Sequence, residues 1–172
     1  MNNNYDEIID TFFKKYEILR FPKFDLIKAL TRIGFVVCSS EFSNEKTLLA
    51  CAIKSGKKMK VGISNTIPPI KSRIIEALIL SSYIKSQVLE KETIFVAKIY
   101  ESMDLEEDIM IMARSIIIPK DYLLYQLREV LKINITTKED AENISYKAVV
   151  YLAEIFDVEE HVVFERIRDL VD

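Results

Sequence analysis

Ser72-Arg73-Ile74-Ile75-Glu76-Ala77-Leu78-Ile79-Leu80-Ser81-Ser82-Tyr83-Ile84 sits near the middle of the chain, just after Pro68-Pro69. Apolar residues fall on every side of this stretch when it is wound as a helix: Ile74, Ile75, Ala77, Leu78, Ile79, Leu80, Tyr83 and Ile84. A helix that is apolar all round belongs in the middle of a core. Its 13 residues are too few to span a bilayer, which needs about 20. The stretch reads as a central packing helix around which the other elements are arranged.

The surrounding composition agrees with a globular chain. Of 172 residues, 49% are hydrophobic and 30% charged, enough for one domain with a real core. Three glycines and four prolines favour helices over a turn-rich all-β fold. No apolar run reaches about 18 residues, so no membrane span is expected. The beginning, Met1-Asn2-Asn3-Asn4-Tyr5-Asp6-Glu7, lacks the basic and apolar regions of a signal peptide, and a cytoplasmic location is expected. Cys38 and Cys51 lie in apolar, strand-like surroundings and read as free thiols.

The net charge of −3 is uneven. Residues 1–69 carry 11 basic and 7 acidic side chains, whereas residues 70–172 carry 13 and 20. An acidic chain argues against general nucleic-acid binding, which draws its affinity from phosphate neutralisation. The asymmetry suits a protein partner with a complementary basic surface.

N-terminal to the central stretch, residues 5–19 repeat apolar side chains at helical spacing: Ile8, Ile9, Phe12, Phe13, Tyr16 and Leu19. A second helix is expected from Pro22 through Phe24, Ile27, Leu30 and Ile33, ended by Gly34. Phe35–Cys38, Thr47–Ile53 and Met59–Ser64 then read as strands, with a hairpin turn at Ser55-Gly56-Lys57. They predict a small three-stranded antiparallel sheet. Lys54, Lys57, Lys58 and Lys60 crowd that hairpin. They read as a solvated tip that discourages edge pairing, since no aromatic residue interleaves with them as nucleic-acid stacking would require.

On the C-terminal side, Thr93–Tyr100 has strand-like content and reads as an added edge strand. Asp104 with Glu107 has capping-box spacing before an apolar helix that stops ahead of Pro119. Tyr122–Leu131 predicts another helix. Thr136 with Glu139 is read as the cap of a helix running through Phe156, and Asp157 with Glu160 as the cap of the last helix. The fold class expected is α+β, as one domain over 1–172. Residues 1–67 hold the N-terminal helices and sheet. Residues 68–172 hold the central helix and a C-terminal helical segment.

Three segments resemble the ImmA/IrrE family of zinc metallopeptidases. Its members show a pattern like R-F-T-x-A-H-E-x-G-H on a helix after a small sheet. They follow it with E-x-x-A-N-x-F-A-x-x-L-L-x-P and a terminal L-A-x-x-F-x-V-S. The counterparts here are Arg73 to Ile84, Glu106 to Pro119, and Leu152-Ala153-Glu154-Ile155-Phe156-Asp157-Val158. The resemblance covers about two thirds of the chain and implies a zincin-like domain. Arg73 and Ala77 match the family pattern, but Leu78 stands at the first histidine position, Ile79 at the catalytic glutamate and Ser82 at the second histidine. Glu106 matches the third, carboxylate ligand, while Ile109-Met110 replaces A-N.

Histidines at i and i+4 on one helical face can share a zinc ion, with the neighbouring glutamate as general base for its water. Leucine and isoleucine offer no lone pair, and the single histidine of the chain, His161, lies about eighty residues away. The resemblance therefore implies a member without zinc, cofactor or peptidase activity, whose site has been refilled with hydrocarbon. By analogy it would act as a protein-binding regulator, with a helix-turn-helix repressor of a phage or mobile element as the suggested partner.

Two other readings remain open. In one, the acidic residues Glu101, Asp104, Glu106, Glu107 and Asp108 gather a divalent cation for a different hydrolase; the plainer reading is favourable charge at a helix start. The last two helices also resemble a helix-turn-helix, but Glu159, Glu160, Glu165 and Asp169 outweigh Arg166 and Arg168 on the would-be DNA reader. Ser81 and Ser82 lack the strained turn and base of a nucleophile and read as small packing residues.

Overall fold

The computed structural model describes residues 4–42, 47–101 and 105–171. Two helices come first, α1 (Tyr5–Lys15) and α2 (Leu26–Ile33). α1 is shorter than its apolar periodicity suggests, because the chain turns at Glu17, which has φ 52°. Asp25 caps α2 by accepting from the Lys28 amide, and Gly34 ends it in the left-handed region at φ 116°.

Strands β1 (Val36–Ser40), β2 (Leu48–Ser55), β3 (Lys58–Ser64) and β4 (Ile94–Tyr100) form one sheet in the order β1-β3-β2-β4. The expected three-stranded antiparallel sheet is thus corrected to a four-stranded mixed one. β2 pairs antiparallel with both β3 and β4, while β1 pairs parallel with β3. β1, β3 and β4 therefore run in one direction and β2 alone runs against them. Because β4 takes the far side of β2, β1 lies on the free side of β3, and its connection to β2 spans a neighbour. β4 is an edge strand, as its sequence suggests. β2 and β3 are the two central strands, so their hairpin lysines do not guard a sheet edge.

The central stretch is helical over α3 (Pro69–Ile84), with proline in its first turn, and runs on into a π-helical turn at Lys85–Leu89. Ile79, Leu80 and Ile84 are completely buried, and Ala77 is too. α3 packs on the inner face of the sheet and against α4 (Glu107–Ile117). The proposed capping role of Asp104 lies outside the described residues.

α5 (Lys120–Tyr125) follows Pro119. The helix expected from Thr136 to Phe156 is two helices, α6 (Lys138–Glu142) and α7 (Tyr146–Phe156), each with its own cap. The α6 cap is Thr137 with Asp140, one residue on from the expected Thr136–Glu139 pair. Asp140 accepts from both threonines, led by the Thr136 amide, and this holds its carboxyl down to about 2. Ser145 caps α7. Asp157 does not cap the last helix, α8 (Glu160–Arg168). It closes α7 in the left-handed conformation, and Glu159 takes the cap position of α8.

The two ends of the chain are fastened together through charges. Arg166 is 1% exposed; its Nη2 donates to Asp6 Oδ1 at 2.6 Å and its Nε to the Ile118 carbonyl at 3.2 Å. Arg114 donates two bonds to Asp169, at 2.7 and 2.8 Å. Arg20 contacts Asp10 and donates to the Ser115 carbonyl at 2.8 Å.

Candidate functional site

The positions singled out by the peptidase resemblance lie on α3 and at the start of α4. Leu78 is 5% exposed and Ile79 is fully buried, both within the main hydrophobic core. The Ser82 hydroxyl donates to the Leu78 carbonyl at 2.8 Å, and Ser81 donates to the same oxygen at 3.0 Å. Both hydroxyls are thus committed to their own helix, as expected of small residues back-bonding to the preceding turn.

Glu106 sits across from the end of α3, largely exposed, where Lys85 Nζ lies 2.5 Å from its carboxylate and 3.7 Å from that of Asp108. The hydrogen bond to Glu106 raises the Lys85 pKa, with smaller support from the nearby carboxylates. An ammonium thus occupies the place where the acidic cluster would gather a cation. Among the described residues, no group of three His, Cys, Asp or Glu is placed to hold a metal ion. His161 is exposed, on α8.

Arg73 and Glu76 mark the other end of α3. Arg73 Nη1 donates to the Phe24 carbonyl at 3.1 Å, while its Nε and Nη2 are buried without a hydrogen-bond partner. Burial pushes its pKa down, against the fields of Asp157, Glu76 and Asp25. Glu76 is itself buried, accepts from Ser72 at 2.5 Å, and has its pKa raised chiefly by desolvation.

The helix pair α7–α8, joined through Asp157–Glu159, has little positive charge to read DNA with. Arg166, one of two basic side chains on α8, is inside the protein. Arg168 donates to Glu165.

Two features of the sheet went unread in the sequence. The first is its outer face. Cross-strand pairing places Val36, Lys60, Ile53 and Val96 in one row across all four strands, with Lys58, Ser55 and Ile94 in the next. Val36, Ile94 and Val96 are each more than 60% exposed and Ile53 is 45% exposed. A third row holds Cys38, Gly62 and Cys51. Two strand spacings, roughly 9–10 Å, separate the thiols, beyond disulfide reach. Both cysteines are free. Gly62 makes a close approach there: a Cβ would come within 2.9 Å of Ser40 Oγ and 3.4 Å of the Phe42 ring, so a side chain would have to shift.

The second feature is a cleft of about 640 Å³ on the other face, between α1, the end of β2 and the π-helical turn after α3. Lys54 reaches into it. Along β2 the buried residues are Leu48, Ala50 and Ala52, and Lys54, half-buried, continues that inward row while Lys57, Lys58 and Lys60 are exposed. Its ammonium lies 5.4 Å from the centre of the Tyr83 ring and contacts the Gln87 side-chain oxygen. The parity of the strand carried this signal; the cluster of four lysines obscured it.

No protein family model, curated protein or solved structure matches this chain. The ImmA/IrrE resemblance therefore stands on the quoted motifs alone.

Proposed function

We propose that this chain is a non-catalytic, protein-binding regulator of ImmA/IrrE type, acting in the cytoplasm on a regulatory protein such as a helix-turn-helix repressor of a phage or mobile element. The observation that carries the binding part is the row of exposed aliphatic side chains, Val36, Ile53 and Val96 with Ile94 beside them, on the uncovered face of the sheet. Ile53, Val96 and Ile94 lie side by side, with Val36 beyond Lys60, and clustered exposed aliphatics on an open sheet face suit a protein interface. The loss of catalysis is supported by Leu78 and Ile79, which fill the ligand-bearing face of α3 with hydrocarbon, and by Ser82, whose hydroxyl is spent on the backbone. The Lys85 ammonium on Glu106 weighs against the alternative hydrolase, because a divalent cation there would have to displace an existing ion pair.

The test combines metal analysis of purified protein with mixing of the chain and intact repressors encoded beside its gene. A stoichiometric complex with uncleaved repressor, lost in Ile53→Asp and Val96→Asp variants of unchanged fold, is the expected result. One equivalent of tightly held zinc, or metal-dependent cleavage of the repressor, overturns the catalytic part. A complex indifferent to both sheet substitutions overturns the assigned surface.

A further inference from the structure

We propose that the Lys54 cleft binds a small monocarboxylate with an apolar body, its carboxylate received by Lys54 and its body laid on the aromatic floor. Lys54 stands half-buried on the core-facing row of its strand, and an anion is a stronger partner for an ammonium there than a neutral dipole. Lys54 has a ring face and an amide oxygen beside it, both neutral. Neither replaces a counter-ion, so the ammonium remains ready for one.

The rest of the cleft specifies the remainder of the ligand. Phe12, Tyr16 and Tyr83 form a connected aromatic floor, with Phe12 5.0 Å from Tyr16 and 6.2 Å from Tyr83 between ring centres. Ile8 and Val88 add aliphatic walls. The volume falls in the range of small-molecule pockets, roughly 300–1,000 Å³. Burial, with the neighbouring Tyr16, pushes the Tyr83 hydroxyl up to about 12, so the ring adds no negative charge to the cleft. Charge fixes the valence. Lys15 and Lys54 against Glu7 leave one net positive charge around the cleft, matching one carboxylate rather than two. The wall that holds Gln87 and Val88 is the π-helical turn, a departure from α-geometry found frequently at functional sites.

The cleft lies on the face of the sheet opposite the aliphatic row, so this inference does not depend on the protein-docking reading. It is tested by amide NMR titration of the whole chain with 4-phenylbutyrate and with 4-phenylbutyramide, which keeps the body and removes the charge. A second arm uses an acetylated tripeptide ending in phenylalanine, as free acid and as amide. This arm distinguishes a free metabolite-sized acid from a protein C-terminus.

Saturable shifts at Lys54, Tyr83 and Gln87 with either acid are expected, the matching amide binding about tenfold or more weakly, as loss of one charged contact would give. Lys54→Met removes the binding, Lys54→Arg retains it, and Lys58→Met on the exposed hairpin leaves it unchanged. The proposal fails if acid and amide bind alike, if shifts centre on Lys57, Lys58 and Lys60, or if no saturable shift occurs up to ~10 mM ligand, the weak end of specific binding. It also fails if Lys54→Met, shown folded by its amide spectrum, binds as well as the parent chain.

Discussion

Replacing Asp6 with alanine tests where Arg166 resides, and with it whether α8 can face DNA. In the structure the Arg166 side chain is 2% exposed and that of Asp6 19%, with 2.6 Å between Nη2 and Oδ1. Removing one partner of a buried pair leaves an uncompensated charge inside, which costs about 3–5 kcal/mol. Asp6 is partly wetted and Arg166 keeps its bond to the Ile118 carbonyl, so the low end, about 3 kcal/mol, is expected here. At 2–4 °C per kcal/mol for a chain of this size, the melting temperature should fall by roughly 6–12 °C. The assay is urea unfolding with the slope checked for constancy, so that a midpoint shift reports stability. Glu17→Ala serves as the comparison, because its pair with Arg32 is exposed on both sides and should contribute about 0–1 kcal/mol. In the double variant Asp6→Ala/Arg166→Met, much of the loss should return, since an apolar chain no longer strands a charge. If Asp6→Ala costs no more than Glu17→Ala, Arg166 is not where the structure puts it. A solvated Arg166 would restore a cation to α8 and reopen the DNA-binding reading.

Three further outcomes follow from the same geometry. The pKa of Glu76 is raised by burial above the ordinary glutamate value of 4.5, so the folded state binds the extra proton. Stability should then fall as pH rises from about that value through the raised one, and Glu76→Gln should flatten this slope in pH-resolved unfolding; an unchanged slope refutes the assignment. Gly62→Ala places a methyl 2.9 Å from Ser40 Oγ and against Phe42, and should destabilise by about 1–3 kcal/mol, partly relieved by Ser40→Ala; a change under ~0.5 kcal/mol contradicts the close approach. Glu106→Ala removes a pair that is 70% exposed on the carboxylate side and should cost no more than about 1 kcal/mol in the same unfolding assay. A much larger loss would mean that the cluster around Glu106 organises more than Lys85.

Local signals read well where one residue decides the outcome. Gly34 closes α2 in a conformation that suits glycine and Gly56-Lys57 turns the β2–β3 hairpin, whereas Pro22, the expected start of α2, lies ahead of a helix that begins at Leu26 under the Asp25 cap. The sheet order was not readable in this way. β1 has the same apolar character beside β2 or beside β3, and only the distant β4, by occupying the other side of β2, decides between them. The cap of α6 shows a subtler loss: Thr136 and Thr137 are both competent caps, and the choice falls to the partner three residues on, where Asp140 can take amides from both.

Lys54 joins the two kinds of failure. By composition it belongs with Lys57, Lys58 and Lys60, a solvated hairpin. By position it belongs with Leu48, Ala50 and Ala52, and the alternation of a strand gives a side chain one face or the other regardless of its charge. A lysine whose backbone parity points inward must either be neutralised or have its ammonium led to an opening. Here Tyr83 and Gln87 lead it to one, between α1 and the π-helical turn. The same alternation sends Ile53 outward between Lys60 and Val96, so one strand supplies both the aliphatic row on the open face and the cation in the cleft. A one-residue slip of β2 would exchange them, burying Ile53 and exposing Lys54, which is the arrangement hydrophobicity alone would favour. One strand thus presents an apolar side chain to the open face and a cation to the cleft, which is the physical reason to look for ligands on both faces of β2.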